Sequence, residues 1–140
     1  MKFVEQKDVS ILHGITGYEF DWSLRSSAAS VTVSNEIDGV IAGLVEFERM
    51  PREMFDFMHL IEVHPDYRGT DVAGQLLAFV GQDSLNNGFD GFVVWESKTL
   101  LYEYYIVKYG AKPLVGRRLH FDTAATKQLI KRYLGGEDDE

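Results

Sequence analysis

A strand that passes into a helix within a few residues is the feature that most constrains the fold of this chain. Phe55–Val63 has the pattern of a β-strand, and Pro65 ends it because proline has no N–H to give to a sheet ladder. In Val72–Asn86, apolar residues recur at the spacing of one helix face, and Gly88 lies just beyond, where a helix stops. This junction predicts an α/β fold with helices packed on a sheet.

Further strands are predicted on both sides of the junction. Asp38-Gly39 separates an alternating run that begins at Val31 from the apolar run 40–47, and an Asp-Gly pair in that position predicts a hairpin. Residues 3–5 and 91–97 have the pattern of short strands, the second buried on both faces. A hairpin followed by alternating strands and helices predicts a mixed sheet. Strict alternation would give one strand face to Phe55, Phe57, His59, Ile61 and Val63.

Two more helices are predicted after residue 97. The first covers residues 99–109 and is closed by Gly110, and two short strands, 112–114 and 117–121, follow it. Asp122 can cap a last helix over residues 123–134. That helix either packs on the domain or forms a homodimer contact. The sequence therefore predicts one domain over residues 1–134 and a disordered acidic tail over residues 135–140.

Composition narrows the classes of function. The chain has 140 residues, a net charge of -8 and no cysteine. The negative charge argues against a nucleic-acid binder and suits a cationic partner. The absence of cysteine excludes disulfides, thiolate metal sites and a cysteine nucleophile, and no His cluster has ligand spacing, so no metal is expected. No apolar run is long enough to span a membrane and residues 1–5 do not resemble a secretory signal, so a cytoplasmic location without membrane contact is expected.

The segment between the strand and the first helix has the features of an anion cradle. Arg68 and small residues lead directly into the helix, where exposed backbone N–H groups suit a pyrophosphate. The segment resembles the acetyl-CoA signature [Q/R]-x-x-G-x-[G/A] of the GNAT superfamily of N-acetyltransferases, with Arg68 at its first position and Ala73 at its last. The hairpin at Asp38-Gly39 and the sequence Lys108-Tyr109-Gly110 also match that family's order.

The resemblance implies a GNAT-like fold, here with an extra C-terminal helix, and acetyl-CoA as co-substrate. It implies that backbone groups of the strand hold the pantetheine arm and polarise the thioester, and that the following turn meets the pyrophosphate. Thr99 stands where the family often has an asparagine near the cofactor. The cofactor-binding residues so predicted are Ile61, Glu62, Val63, Arg68, Gly69, Thr70, Asp71, Val72, Ala73, Gly74 and Thr99.

Acetyl transfer to an amine also needs a group that takes a proton and one that can protonate the leaving thiolate. His59 is the first candidate base, and a histidine satisfied within a strand is the alternative. Glu62 is the second candidate base, and a solvent-facing strand residue is the alternative. Tyr105 and Tyr109 are the candidate acids, with core packing as the alternative for the tyrosines of this helix.

The resemblance thus implies direct transfer of an acetyl group from acetyl-CoA to a primary amine. The net charge suits a cationic acceptor, such as a polyamine, an amino sugar or a lysine side chain of a protein. The alternative function is an acyl-CoA-binding or protein-interaction module without turnover. Two departures motivate it: Asp71 replaces the signature's central glycine and could cap the helix, and Ile106 occupies the position of the family's tyrosine acid.

Overall fold

The computed structural model describes residues 1–97 and 100–135, which form one mixed sheet with helices packed on it. The sheet order is β1-β2-β3-β4-β5-β7-β6, and only β4 and β5 of these described strands run parallel. The strands are β1 (Lys2–Glu5), β2 (Val31–Ile37), β3 (Val40–Met50), β4 (Phe55–Val63), β5 (Val93–Glu96), β6 (Lys112–Pro113) and β7 (Arg118–Phe121). The helices are α1 (Val72–Asn86), α2 (Tyr102–Tyr109) and α3 (Thr123–Tyr133), with 3-10 turns at Val9–Leu12 and Pro65–Tyr67.

The predicted hairpin is confirmed. Asp38 and Gly39 connect β2 to β3 with φ angles of 52° and 79°. A two-residue turn with positive φ at both positions matches the twist of the strands it joins, which is why an Asp-Gly pair favours this connection. Residues 3–5 also form the predicted strand, as part of β1 at the sheet edge.

A β-bulge at His59 divides β4 and overturns the predicted single face. Phe47 of β3 lies opposite Met58, but Glu46 lies opposite Leu60, so His59 is the extra residue. Because one inserted residue reverses the alternation, the side chains before and after it change faces. Ile61 and Val63 therefore pack with Met58 against the helices, whereas Phe55 and Phe57 do not belong to that core.

The helices confirm most of the predicted boundaries. α1 begins and ends as expected, and Asp122 caps α3 by accepting a hydrogen bond from the Ala125 N–H at 2.9 Å. α2 begins at Tyr102 rather than at residue 99, because Leu101 occupies the N-terminal cap position. Thr99 and residues 136–140 of the predicted tail lie outside the described residues.

α3 packs on α1, as one of the two alternatives for the last helix predicts. The closest approach is at Gly74, where an added Cβ would overlap the Tyr133 ring. A second close approach joins Gly81 to Thr126, whose Cγ2 would lie 2.6 Å from an added Cβ. Glycines in α1 therefore permit two helices to lie unusually near each other.

The N-terminal segment covers the sheet face opposite to the helices. Leu12 and Trp22 are buried against Leu44 of β3 in a second, smaller core. The sheet is thus covered on both faces, by helices on one and by an irregular segment on the other. In the part of the chain that the structure describes, no helix is long and apolar enough to cross a membrane.

Candidate active site

A cleft opens where β4 and β5 stop pairing. The two strands are paired only at Asp56 with Val93 and Phe57 with Val94, just before the bulge. Beyond it, a cavity of about 460 Å³ lies between the strands. The residues that line it are Phe20, Met58, His59, Leu60, Ile61, Trp95, Glu96, Ser97, Leu101 and Tyr105.

The edge of β4 presents backbone groups to this cleft. The N–H of His64 donates to the carbonyl of Ala42 on β3 at 2.9 Å. Hydrogen-bonded and non-bonded positions alternate in an antiparallel ladder, so Ile61 and Val63 direct their N–H and C=O groups to the open side. An extended arm with amide groups can pair with such an edge as a further strand would.

The turn between β4 and α1 leaves amides exposed. Gly69 has a φ of 79°, which glycine adopts at little cost. Among the described residues, the N–H groups of Gly69, Asp71 and Ala73 have no acceptor. Asp71 occupies the cap position of α1 but makes no side-chain cap hydrogen bond, so the expected capping is wrong. These amides and the helix dipole are therefore available to an anion.

A second cavity, of about 370 Å³, joins this turn to the β4 edge and α2. Arg68 and Lys108 place two cations on its wall. It collects most of the predicted cofactor and acid residues: Ile61, Glu62, Val63, Arg68, Gly69, Thr70, Ala73, Tyr105 and Tyr109. Of the other predicted cofactor residues that the structure describes, the Val72 side chain is in the core, Gly74 contacts Tyr133 and Asp71 is exposed.

The tyrosines of α2 differ in environment. Tyr105 lines both cavities, its ring packs edge-on against Trp95, and burial raises its pKa to about 12. Tyr109 is buried, which also raises its pKa. Tyr104 is exposed, and a hydrogen bond to Lys108 lowers its pKa. Sequence reasoning missed Tyr104 and Lys108 as cavity residues, although their spacing of four on a helix places them on one face.

His59 lies at the cleft with a carboxylate behind it. Its Nε2 is 3.0 Å from Oε1 of Glu48, and its ring packs edge-on against Phe57. Glu48 also accepts a hydrogen bond from the Ser27 hydroxyl at 2.9 Å, and bonds from His59 and Ser27 lower the pKa of Glu48. Sequence reasoning missed Glu48, because only the register of β3 against β4 brings it beside His59.

Glu62 is not a solvent-facing strand residue, which was the alternative to its role as a base. One carboxylate oxygen accepts from the Glu19 N–H at 2.7 Å. The other accepts from the Phe20 N–H at 3.2 Å and from the Trp22 indole N–H at 2.8 Å. A strand residue thus holds the N-terminal segment against the cleft.

The described residues contain no group of three or more His, Asp or Glu side chains arranged to hold a metal ion. The groups gathered here are instead those of an anion and acyl site: exposed amides, two cations, an open strand edge, a phenol and an imidazole paired with a carboxylate. This set can bind a diphosphate, align a carbonyl and move a proton.

The model of the acetyltransferase (GNAT) family matches residues 4–105. No curated protein matches the sequence. The fold is similar to an acetyltransferase of the GNAT family from Staphylococcus aureus Mu50, with a TM-score of 0.56, 14% identity and coverage of 69% of each chain. It is also similar to the CoA-dependent acyl-homoserine lactone synthase BjaI, with a TM-score of 0.60, 15% identity and coverage of 89% of this chain and 75% of the other. For Tetrahymena GCN5 the TM-score is 0.54 at 9% identity, over 67% of this chain and 68% of the other.

Proposed function

The chain belongs to the GNAT family of acetyltransferases, and on that premise we propose that it transfers an acetyl group from acetyl-CoA directly to a primary amine. The observation that carries the proposal is the opening between β4 and β5 beside a turn with exposed amides. The cavity at the turn and the cavity between the strands share Ile61, Leu101 and Tyr105 in their walls, so two substrates can meet there.

The turn and the strand edge hold the acyl donor in this proposal. The N–H groups of Gly69, Asp71 and Ala73 meet the pyrophosphate, and Arg68 and Lys108 add positive charge beside it. The open backbone groups of Ile61 and Val63 align the pantetheine arm, and an N–H of this edge polarises the thioester carbonyl. In this arrangement, the small residues of the signature let the ligand approach the backbone.

Proton transfer falls to His59 and Tyr105. The neutral amine nitrogen attacks the thioester carbonyl carbon, the C–N bond forms and the C–S bond breaks. His59 takes the proton that the nitrogen loses, and Glu48 orients its imidazole from behind. Tyr105 gives its proton to the departing sulfur and recovers one from solvent. Tyr105 lines both cavities, which supports its assignment over the more buried Tyr109.

Titration calorimetry with acetyl-CoA, followed by thiol release with a panel of primary amines, tests the proposal. We expect saturable binding and release of free CoA that depends on the amine. Absence of binding would contradict both the cofactor and the reaction. Binding without thiol release from any amine would favour the non-catalytic acyl-CoA module, which the exposed Asp71 carboxylate beside the turn and Ile106 in α2 support.

A further inference from the structure

Residues 18–22, here called the N-terminal strap, contribute Phe20 to the wall of the cleft between β4 and β5. Phe20 of the strap lines the cleft although its side chain is 49% exposed. An aromatic side chain half exposed to water at the mouth of a cavity costs free energy unless a ligand covers it. On the basis of the proposed function, we propose that the acceptor is a primary amine with an aryl or alkyl body that packs on Phe20. Glu62 positions the backbone that carries Phe20.

Glu62 holds the strap at three points. Its carboxylate accepts hydrogen bonds from the N–H groups of Glu19 and Phe20 and from the Trp22 indole, at 2.7, 3.2 and 2.8 Å. Tyr18 adds a fourth attachment, because its hydroxyl donates to the Ile41 carbonyl at 2.8 Å. The Phe20 ring therefore projects from a backbone that is fixed at its own amide and on both sides of it.

These contacts also give Glu62 a role different from that of a base. The carboxylate oxygens already accept hydrogen bonds from three N–H groups of the strap. Both oxygens face the strap rather than the cleft that His59 lines. Glu62 is therefore a positioning residue that acts through Phe20.

The remainder of the cleft is suited to an apolar acceptor. Of the ten lining residues that the structure describes, His59, Glu96 and Ser97 are polar, Tyr105 adds one phenol, and the other six are apolar. A polyamine would need several carboxylates to replace the water around its charges, and an amino sugar would need partners for several hydroxyls. An amine with one polar end and an apolar body requires neither, so it fits this lining better than the polyamine or amino sugar suggested by net charge.

Steady-state kinetics with phenethylamine, ethanolamine and spermidine test the acceptor class. We expect kcat/KM for phenethylamine to exceed that for ethanolamine by about 10-fold or more, since each buried methylene contributes to discrimination. Phe20→Ser should raise the KM for phenethylamine about 10-fold and leave ethanolamine unchanged. Leu24→Ser is the matched control, because Leu24 lies two residues beyond the strap, is 65% exposed and does not line the cleft. Equal kcat/KM for phenethylamine and spermidine with intact turnover would overturn the inference and leave the proposed function standing.

Glu62→Gln tests the positioning role. The glutamine amide nitrogen would meet an N–H donor of the strap, so we expect faster hydrogen exchange at the Glu19 and Phe20 amides and a higher KM for phenethylamine. The kcat and its pH profile should stay unchanged. A loss of kcat with every amine, without faster exchange, would make Glu62 a base and overturn this role.

Calorimetry separates the two proposals, because phenethylamine binding to the CoA-saturated protein needs no turnover. Phe20-dependent binding without thiol release would contradict the proposed function and support the apolar acceptor site. Absence of phenethylamine binding in a protein that acetylates other amines would overturn the site.

Discussion

His59 owes its place to the insertion of one residue in a strand. Without the bulge it would lie on the face of Ile61 and Val63, beneath the helices. With the bulge, its imidazole reaches Glu48 across the ladder and lies at the edge of the cleft. A single extra residue thus places an imidazole beside the open edge of the strand.

Replacement of His59 by glutamine should lower kcat/KM about 10²- to 10⁴-fold, the usual contribution of a positioned acid or base. Glu48→Gln is the control: it leaves the imidazole in place, so a smaller loss is expected. Steady-state kinetics of each variant check this, and an unchanged kcat/KM in His59→Gln would remove His59 from catalysis.

Replacement of Tyr105 by phenylalanine should lower kcat about 10²-fold or more without changing the Kd for acetyl-CoA. Because burial raises its pKa to about 12, the phenol holds its proton across the assay range and is available as an acid. Tyr104→Phe is the matched control on the same helix, since Tyr104 is exposed and lines only one cavity. Equal losses of kcat in Tyr105→Phe and Tyr104→Phe would contradict the assignment of Tyr105 as the acid.

Replacement of Asp71 by asparagine should tighten CoA binding several-fold. Its exposed carboxylate lies at the start of α1 without a cap bond, and repulsion of a diphosphate at short range costs on the order of 1 kcal/mol. The gain should shrink at high salt, because screening weakens exposed charges. Calorimetry at two ionic strengths measures it, with Asp90→Asn, in a loop away from the turn, as control. An unchanged Kd at low salt would show that Asp71 points away from the ligand.

At the scale of elements, the contact between α1 and α3 stabilises the turn that begins α1. Gly74 lies in the first turn of α1, and Tyr133 covers it. The last helix, which lies beyond the matched residues 4–105, therefore supports the candidate anion site from behind. The unbonded N–H groups of Gly69, Asp71 and Ala73 immediately precede Gly74 in the chain.

Gly74→Ala should lower the free energy of unfolding by about 1–3 kcal/mol, because the added methyl overlaps the Tyr133 ring. Alanine is favoured over glycine in a helix by only about 1 kcal/mol, so the overlap decides the sign. Urea denaturation measures the loss. In the double variant Gly74→Ala with Tyr133→Leu, the loss in the free energy of unfolding should be smaller than the sum of the two single losses, because the leucine leaves room for the methyl. Full additivity would mean that the helices do not meet there.

At the scale of the whole molecule, one buried carboxylate links the stability of the domain to pH. Asp56 of β4 is fully buried, and neither of its oxygens has a hydrogen-bond partner in the described part of the chain. Burial and the nearby Asp83 carboxylate, which Arg49 binds, raise the pKa of Asp56 to about 9. Asp56 is therefore protonated in the folded protein at neutral pH.

The direction of the pH effect on stability follows from the protonation of Asp56 in the folded and unfolded states. Below the ordinary pKa of 3.8 both states hold the proton, and between that value and about 9 only the folded state does. The contribution of the Asp56 proton to the free energy of unfolding is therefore fully present at low pH and is lost as the pH rises toward 9. Asp56→Asn should flatten this decline between pH 5 and 8, as measured by urea denaturation, and Asp66→Asn, which is exposed, should leave it unchanged. An equal slope in Asp56→Asn and the unaltered protein would contradict a proton on Asp56.

Most elements were predictable because their signals are local. The Asp-Gly turn needs positive φ, α1 shows its apolar face within its own residues, and Asp122 lies one residue before the helix that it caps. The start of α2 was less predictable, since Leu100 and Leu101 are good helix formers that nonetheless precede Tyr102. No local pattern marked the bulge at His59, which depends on how β4 pairs with β3.

Local sequence signals were enough to specify the mixed sheet with its helices and the glycine-containing turn that begins α1, because turn geometry, helix periodicity and proline act over a few neighbouring residues. Tertiary structure alone decided which side chains meet at the cleft. Glu48 reaches His59 through strand register, and Phe20 reaches the same cleft because Glu62 binds its amide. Those contacts join residues 11 and 42 positions apart in the chain, and such pairs form only when packing of the whole domain offsets the entropy of closing the loops between them.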